Sequence, residues 1–187
     1  MPDAIELLKT RRSSRVIDLV APGPTPADLA TILTIAARVP DHGKLAPWRF
    51  IVFEGEGRVR AGTLFAEVLQ AKDPDVTERR LEDEKNRFTR APLVVAVVSQ
   101  AAPHVKIPEW EQLLSGAAVA QNMVLAAAAL GYGVTWLTEW PAYDAQARAG
   151  LGLADHERVV GFIYMGTATQ VLEDRPRPAL DAVVTRF

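Results

Sequence analysis

The chain has 187 residues, of which 49% are hydrophobic and 24% are charged, an ordinary composition for a globular protein. Its formal net charge of −2 excludes the strongly basic surface of a nucleic-acid or anionic-membrane binder. The absence of cysteine excludes disulfides, thiol catalysis and thiolate metal ligands. We expect a single domain over residues 1–187. The first residues lack the basic-then-apolar pattern of a secretion signal, so we expect a cytoplasmic protein.

Helix signals are clear near the start of the chain. Asp3 followed by Glu6 predicts an N-capped helix, and Thr25 with Pro26 predicts a second one. Apolar residues at helical spacing give the second helix one buried stripe, and it ends before Pro40. Three further elements are expected in this part of the chain, namely a loop at 16–24, a strand at 49–54 and a helix at 59–73.

Two segments that follow carry competing interpretations. The sequence Gly55-Glu56-Gly57 imitates a dinucleotide-binding turn, but Arg60 stands where the third glycine is required, which favours an ordinary strand-to-helix turn. Residues 75–90 are densely charged and predict a peripheral helix with a solvated face, a lid being the alternative. The expected ion pairs on this helix are Arg79–Asp83, Arg80–Glu84 and Asp83–Arg87.

The second half centres on a helix that is apolar nearly all round. It covers residues 109–130, and its alanines and mid-helix amides argue against a membrane span. Because such a helix must be covered on most sides, and Gly116, Ala117 and Ala120 permit a close backbone approach, we expect a dimer. The other predicted elements are strands at 93–98, 131–138, 159–165 and 182–187, a loop at 101–108 and a helix at 141–150.

Sequence motifs for side-chain catalysis are absent. There is no G-x-S-x-G, Walker or H-E-x-x-H pattern. His42, His104 and His156 lie far apart and do not have metal-ligand spacing. A chain with basic loop residues and little catalytic apparatus suits an organic cofactor that carries the chemistry.

Two basic segments are candidate binding sites. Arg11-Arg12-Ser13 follows the first helix, where cations also complement a helix C-terminus, so a phosphate site and a solvated helix end are both open. The segment from Arg38 to Phe50 contains the turn-rich loop 40–44, which is either a polar surface connection or a binding loop held between a helix and a strand.

Pro40-Asp41-His42 and Ala46-Pro47-Trp48-Arg49-Phe50 resemble the nitroreductase family of flavin enzymes, and within it the short NAD(P)H nitroreductases. The resemblance continues in family order through residues 11–13, 131–136, 161–167 and 175–178 and so covers nearly the whole chain. In one place the chain departs from the family. Many members have Gln or Asn where Ala46 stands, which removes a polar contact near the flavin and bears on substrate choice.

The resemblance implies an α+β fold with a central, mostly antiparallel sheet flanked by helices, in an intertwined homodimer that binds FMN at its interface. It implies that Arg11, Arg12 and Ser13 hold the FMN phosphate and the nearby ring edge, and that Arg175 and Arg177 close that phosphate site. The remaining implied contacts are Thr135, Trp136 and Leu137 along the isoalloxazine or ribityl chain, and Arg38 and His42 from the partner subunit. The C-terminal strand would cross to the partner sheet.

The implied activity is ping-pong transfer of hydride from NADPH or NADH, through flavin, to a nitroaromatic, quinone or similar small acceptor. No side chain need act as an acid or base, and His42 is the one candidate for that role. Two alternatives remain open. One is another flavin reaction of the same family, such as dehalogenation or oxidation of a small substrate. The other is a flavin-binding dimer without turnover.

Overall fold

Five strands form an antiparallel sheet at the centre of the computed structural model, which describes residues 3–187. The strands are β1 (Leu19–Val20), β2 (Trp48–Phe53), β3 (Leu93–Ser99), β4 (Gly133–Leu137) and β5 (Arg158–Ala168). β5 pairs with β1, β3 and β4, and β3 pairs on its other side with β2, which is an edge strand. Every residue of β3 is buried, because its two faces are covered by different helices.

The helices lie on both sides of this sheet. They are α1 (Ala4–Thr10), α2 (Pro26–Ala36), α3 (Glu56–Lys72), α4 (Glu78–Lys85), α5 (Glu109–Ala129), α6 (Ala145–Gly150) and α7 (Leu180–Val183). One core layer centres on Phe65, Phe88 and Phe162, and the other packs Ile32 of α2 and Met123 of α5 against the opposite sheet face. The predicted caps form as expected, since Asp3 accepts hydrogen bonds from the backbone at residues 5 and 6 and Thr25 accepts one from Asp28. The predicted α+β fold with a mostly antiparallel sheet is confirmed.

Helix α5 is 21 residues long and has a mean hydropathy of 1.3 over its most apolar window, so it is long and apolar enough to span a membrane by length and composition alone. Half of that window is buried inside the protein, against α2 and the sheet. Gly116 and Ala120 belong to the buried side, and a Cβ on Gly116 would lie 3.4 Å from Val160 Cγ2. Gly116 and Ala120 thus serve packing within the chain, whereas Ala117 on the same helix is only half-buried.

Several predicted elements differ from the structure. The loop predicted at 16–24 contains a 3₁₀ turn, Val16–Asp18, followed by strand β1. This strand is short, because only two of its residues pair with β5. The helix predicted at 141–150 divides into a 3₁₀ turn, Trp140–Ala142, and α6, because Asp144 caps a new helix with its side chain. The strand predicted at 182–187 is wrong for the isolated chain, where α7 occupies its start and no strand edge is paired with it.

The charged helix α4 is exposed over most of its length, as its composition predicts, but one of its carboxylates lies in the interior. Glu84 is fully buried, and Arg87 donates to both of its carboxylate oxygens at 2.5 and 2.6 Å. Burial alone would raise the pKa of Glu84, but the hydrogen bonds and charge of Arg87 dominate and lower it. Trp140 and Arg80 contact the same carboxylate. Of the three predicted ion pairs, Arg80–Glu84 is confirmed. Arg87 pairs with Glu84 and Glu139 rather than with Asp83, and Arg79–Asp83 does not form within residues 3–187.

Candidate functional site

Arginines from the two ends of the chain meet beside the first turn after α1. The helix ends at Thr10, and Arg11 adopts an extended conformation that lets the next residues run along β4, where the Ser14 amide donates to the Val134 carbonyl at 3.0 Å. Arg12 Nε donates to the Glu173 carbonyl at 3.2 Å, which holds the C-terminal segment against this turn. These two hydrogen bonds to backbone carbonyls bring the predicted phosphate-binding residues from the two ends of the chain together.

This cluster is rich in positive charge, and the one guanidinium contact within it to a carboxylate among residues 3–187 is from Arg177 Nη2, which donates to Asp174 at 2.8 Å. Burial lowers the pKa of Arg11, and the neighbouring charges of Arg177, Arg12 and Arg175 lower it further. Within the part of the chain that the structure describes, the buried Nη1 of Arg11 has no hydrogen-bond partner. A buried guanidinium donor among like charges is costly unless a negative group satisfies it. A phosphate dianion has the charge and the acceptor oxygens for this role.

A cavity of about 250 Å³ adjoins the arginines. Arg11, Arg12 and Ser13 line it on one side, and Tyr132 and Gly133 line it on the other. Small-molecule sites that enclose a ligand the size of a nucleotide are typically 300–1,000 Å³. The cavity can hold a phosphate and part of a chain attached to it, and it requires additional walls to enclose a whole cofactor.

The predicted residues of β4 lead away from this cavity along the strand. Thr135 and Leu137 point to one face of the sheet and Trp136 to the other, as strand alternation requires. Trp136 Nε1 donates to the Val160 carbonyl at 3.1 Å, and its indole occupies the space above Gly161, where a Cβ would lie 1.9 Å from that nitrogen. The indole of Trp136 can take this position only because residue 161 is a glycine.

Arg38 and His42 lie elsewhere in this chain. His42 lines a second cavity of about 360 Å³, which shares no residue with the arginine cavity and borders the first half of α5. Because the arginine cavity reaches Ala128 and the second cavity reaches no further than Ala118 on the same helix, the two are separated by about 15 Å along the axis. A single chain does not bring the two predicted groups together.

The loop that carries His42 has an unusual backbone. Gly43, Lys44 and Ala46 have φ of 74°, 56° and 45° respectively. Lys44 and Ala46 have side chains, and residues with side chains rarely adopt this conformation without compensation from their surroundings. The Asp41 carboxylate supplies part of it by accepting hydrogen bonds from the amides of Leu45 and Ala46 at 3.0 and 2.8 Å.

Three polar side chains of α5 hold the same loop from the other side. Asn122 Nδ2 donates to the Arg38 carbonyl at 2.9 Å, and the Ser115 hydroxyl donates to the Pro40 carbonyl at 2.8 Å. Glu111 Oε2 lies 2.6 Å from His42 Nδ1. From the sequence, the mid-helix amides, Asn122 among them, served only as evidence against a membrane span, and Ser115 and Glu111 were overlooked as contacts of this loop. Their spacing of four and seven residues, which places them on one helix face, was the available signal.

Comparison with known proteins identifies the family to which the chain belongs. The Nitroreductase family model matches residues 8–167. A protein of Escherichia coli (strain K12) named "Putative NAD(P)H nitroreductase YdjA" is 37% identical over 169 residues, which cover 88% of each chain. A Haemophilus influenzae protein named "Putative NAD(P)H nitroreductase" is 36% identical over 173 residues, or 91% of each chain.

Solved structures share the fold. A nitroreductase-like family protein from Bacillus cereus superposes with a TM-score of 0.84 at 24% identity, covering 100% of this chain and 97% of its own. A nitroreductase with bound FMN from Bacteroides fragilis gives a TM-score of 0.72 at 22% identity and full coverage of both chains. The chain belongs to the nitroreductase family and is an oxidoreductase of that family, as its sequence motifs predict.

Proposed function

We propose that the protein is an FMN-dependent NAD(P)H oxidoreductase that works as a homodimer. The observation that carries this proposal is the convergence of Arg11, Arg12, Arg175 and Arg177 around an unsatisfied buried guanidinium nitrogen. The names of its relatives support it. Two are named as NAD(P)H nitroreductases, and a structural neighbour from Sphigopyxis is described as an FMN- and NADPH-dependent nitroreductase.

The residues of the arginine cavity fit the phosphate end of FMN. Arg11 and, from the C-terminal segment, Arg177 would supply forked, charge-assisted donors to phosphate oxygens, and Ser13 would add a short hydroxyl donor. Thr135 and Leu137 continue from the cavity along β4 and would flank the ribityl chain or the ring. When bound, FMN would supply the redox chemistry, which is hydride uptake from NADPH or NADH and reduction of a small acceptor in ping-pong order. The protein binds, orients and shields it.

A second copy of the chain would complete the site. Arg38 and His42 are exposed in the single chain, and the cavity that His42 lines shares no residue with the arginine cavity. Exposed apolar side chains that a second subunit could cover lie on α5 (Trp110, Leu113, Leu114) and in the C-terminal segment (Leu180, Val183, Val184, Phe187). Residues 170–187 can span about 60 Å when extended, enough to reach a neighbouring subunit. There residues 182–187 would gain the strand edge that they lack in one chain.

The spectrum of the freshly purified protein tests the proposal. We expect a yellow protein with flavin absorbance that bleaches when NADPH or NADH is added without oxygen. Subsequent addition of a nitroaromatic or a quinone should restore the colour. Flavin that stays oxidised with both nucleotides contradicts the oxidoreductase assignment and favours a binding dimer without turnover. Reduction by a different small substrate favours the other flavin reactions of the family. A cytoplasmic location is part of the same proposal.

A further inference from the structure

The closest polar contact of the second cavity joins His42 to α5. His42 Nδ1 lies 2.6 Å from Glu111 Oε2, and the two side chains are 62% and 45% exposed. An ionised carboxylate can only accept hydrogen bonds, so Nδ1 carries the proton and donates it to Glu111. Nε2, on the other side of the ring, makes no hydrogen bond within residues 3–187 and is the nitrogen free to act on a ligand.

The backbone of the loop that carries His42 is strained, and hydrogen bonds from within the loop and from α5 hold it in place. The loop carrying His42 contains two residues with side chains at positive φ, Lys44 and Ala46. The Asp41 carboxylate stabilises it from within, and Ser115 fastens the Pro40 carbonyl from α5. Strained backbone held in place by its surroundings is concentrated at functional sites. A surface connection would not require it.

We propose that His42 donates a proton to the electron acceptor and that Glu111 positions His42 for that donation. The inference rests on the proposed function, because the acceptor must be reduced beside this loop. The cavity wall suits a flat, largely apolar acceptor, since Pro40, Leu114 and Ala118 contribute most of it. A quinone is an acceptor of this kind, and it takes up protons on oxygen when it is reduced.

The proton balance follows from the ring geometry. A quinone that gains a hydride, meaning two electrons and one proton, needs one further proton to become a hydroquinone. In the imidazolium form, Nε2–H donates that proton, so an O–H bond forms on the quinone and the Nε2–H bond breaks. The ring is left neutral with its remaining proton on Nδ1, still held by Glu111. Solvent reprotonates Nε2 after the hydroquinone has left the site.

The charged groups near His42 are consistent with this role. Glu111 is the facing carboxylate on α5. Asp41 in the same loop is occupied by two backbone amides, and Lys44 is exposed. Glu111 is thus the group that sets which ring nitrogen keeps its proton, and we class it as a positioning residue.

Reoxidation of the reduced protein separates proton transfer from electron transfer. The flavin is reduced anaerobically, with dithionite if the nucleotides fail, and is then reoxidised either by a water-soluble quinone or by ferricyanide, which takes electrons and no proton. We expect His42→Asn to lower the ratio of quinone rate to ferricyanide rate about 100-fold, the effect of losing a general acid. Glu111→Ala should lower it about 10-fold. The matched control Glu109→Ala, an exposed acid in the first turn of the same helix, should leave the ratio unchanged.

A second measurement needs no turnover. In flavin-free protein, ¹⁵N chemical shifts of the histidine rings report the tautomer, and His42→Asn identifies the His42 signal among the three histidines. At a pH where the ring is neutral, we expect the proton on Nδ1 in the wild type and mainly on Nε2 in Glu111→Ala. A wild-type ring protonated on Nε2, or a quinone-to-ferricyanide ratio that His42→Asn leaves unchanged, overturns the inference. Flavin that dithionite reduces but nucleotides do not contradicts the proposed function alone.

Discussion

Glu157, immediately before β5, is a buried carboxylate surrounded by donors. Arg49 contacts both of its oxygens, through Nε at 2.7 Å and Nη2 at 2.8 Å, and Gln100 and the Ala154 amide add further hydrogen bonds. These contacts, those of Arg49 first, lower the pKa of Glu157 to about 2. The ion pair fastens the loop before β5 to the strand that follows the His42 loop. Arg49 was read from sequence as part of a family motif, but its partner lies 108 residues away and could not be predicted.

Removing this carboxylate should destabilise the protein in a pH-dependent way. We expect Glu157→Gln to lower the free energy of unfolding at pH 7 by about 2 kcal/mol, less than for a fully buried pair because Arg49 is partly exposed. A carboxyl whose pKa falls from 4.5 to about 2 on folding contributes stability above pH 4.5 and loses it as the pH falls towards 2.

Urea unfolding at pH 7, 5 and 3 measures this effect. The difference between wild type and Glu157→Gln should be similar at pH 7 and pH 5 and should shrink at pH 3. Glu67→Gln, which removes an exposed carboxylate from α3, serves as the control and should change stability little at any of these values. A difference that stays constant down to pH 3 would show that the charge of Glu157 is not what stabilises the fold.

At the scale of elements, the packing of α3 against α4 depends on one glycine. A Cβ at Gly62 would lie 1.9 Å from the Lys85 carbonyl oxygen and 2.6 Å from its carbon. These are backbone atoms, which cannot rotate away as a side chain can. The end of α4 therefore sits directly on α3, and this contact brings Glu84 and Arg87 into the interior.

We expect Gly62→Ala to destabilise the protein by about 3 kcal/mol or more, because the two helices must separate and the core around Phe65 and Phe88 loosens. Gly57→Ala, in the first turn of the same helix, is the matched control. Its Cβ would meet only the end of the Arg60 side chain at 3.9 Å, so it should stabilise by roughly 0.5–1 kcal/mol. Thermal unfolding measures both. If Gly62→Ala were as stable as the wild type, or if it changed stability in the same way as Gly57→Ala, the close helix contact would be contradicted.

The elements show which parts of the fold a sequence can predict. The central strands, α2, α3 and α5 follow from apolar patterns and caps, which are local signals. The placement of α4 does not, because Glu84 and Arg87 are polar residues whose burial depends on Trp140 and Glu139 more than 50 residues later. The arginine group was predicted from motifs, whereas Glu111 was overlooked because its partner, His42, is 69 residues earlier in the chain.

At the scale of the whole molecule, the proposed site divides between two subunits, and this division makes a sharp prediction. Arg177 would act on the FMN held by its own chain, and Arg38 on the FMN held by the partner. If each contributes about 1.5–3 kcal/mol as a charged hydrogen bond, Arg177→Ala and Arg38→Ala should each weaken FMN binding roughly 10–100-fold as homodimers. Equilibrium titration of flavin-free protein with FMN measures both.

Mixed dimers then test whether the two residues serve different copies of the site. A heterodimer of an Arg38→Ala chain and an Arg177→Ala chain, purified through two affinity tags, contains one site with both substitutions and one with neither. We expect it to bind FMN with wild-type affinity at about half of its sites. A heterodimer of Arg11→Ala and Arg177→Ala is the matched control, because both residues belong to one chain's cavity and every site then carries one defect. Failure of the first heterodimer to recover tight binding would place Arg38 and Arg177 of the same chain at one flavin and would contradict the shared site.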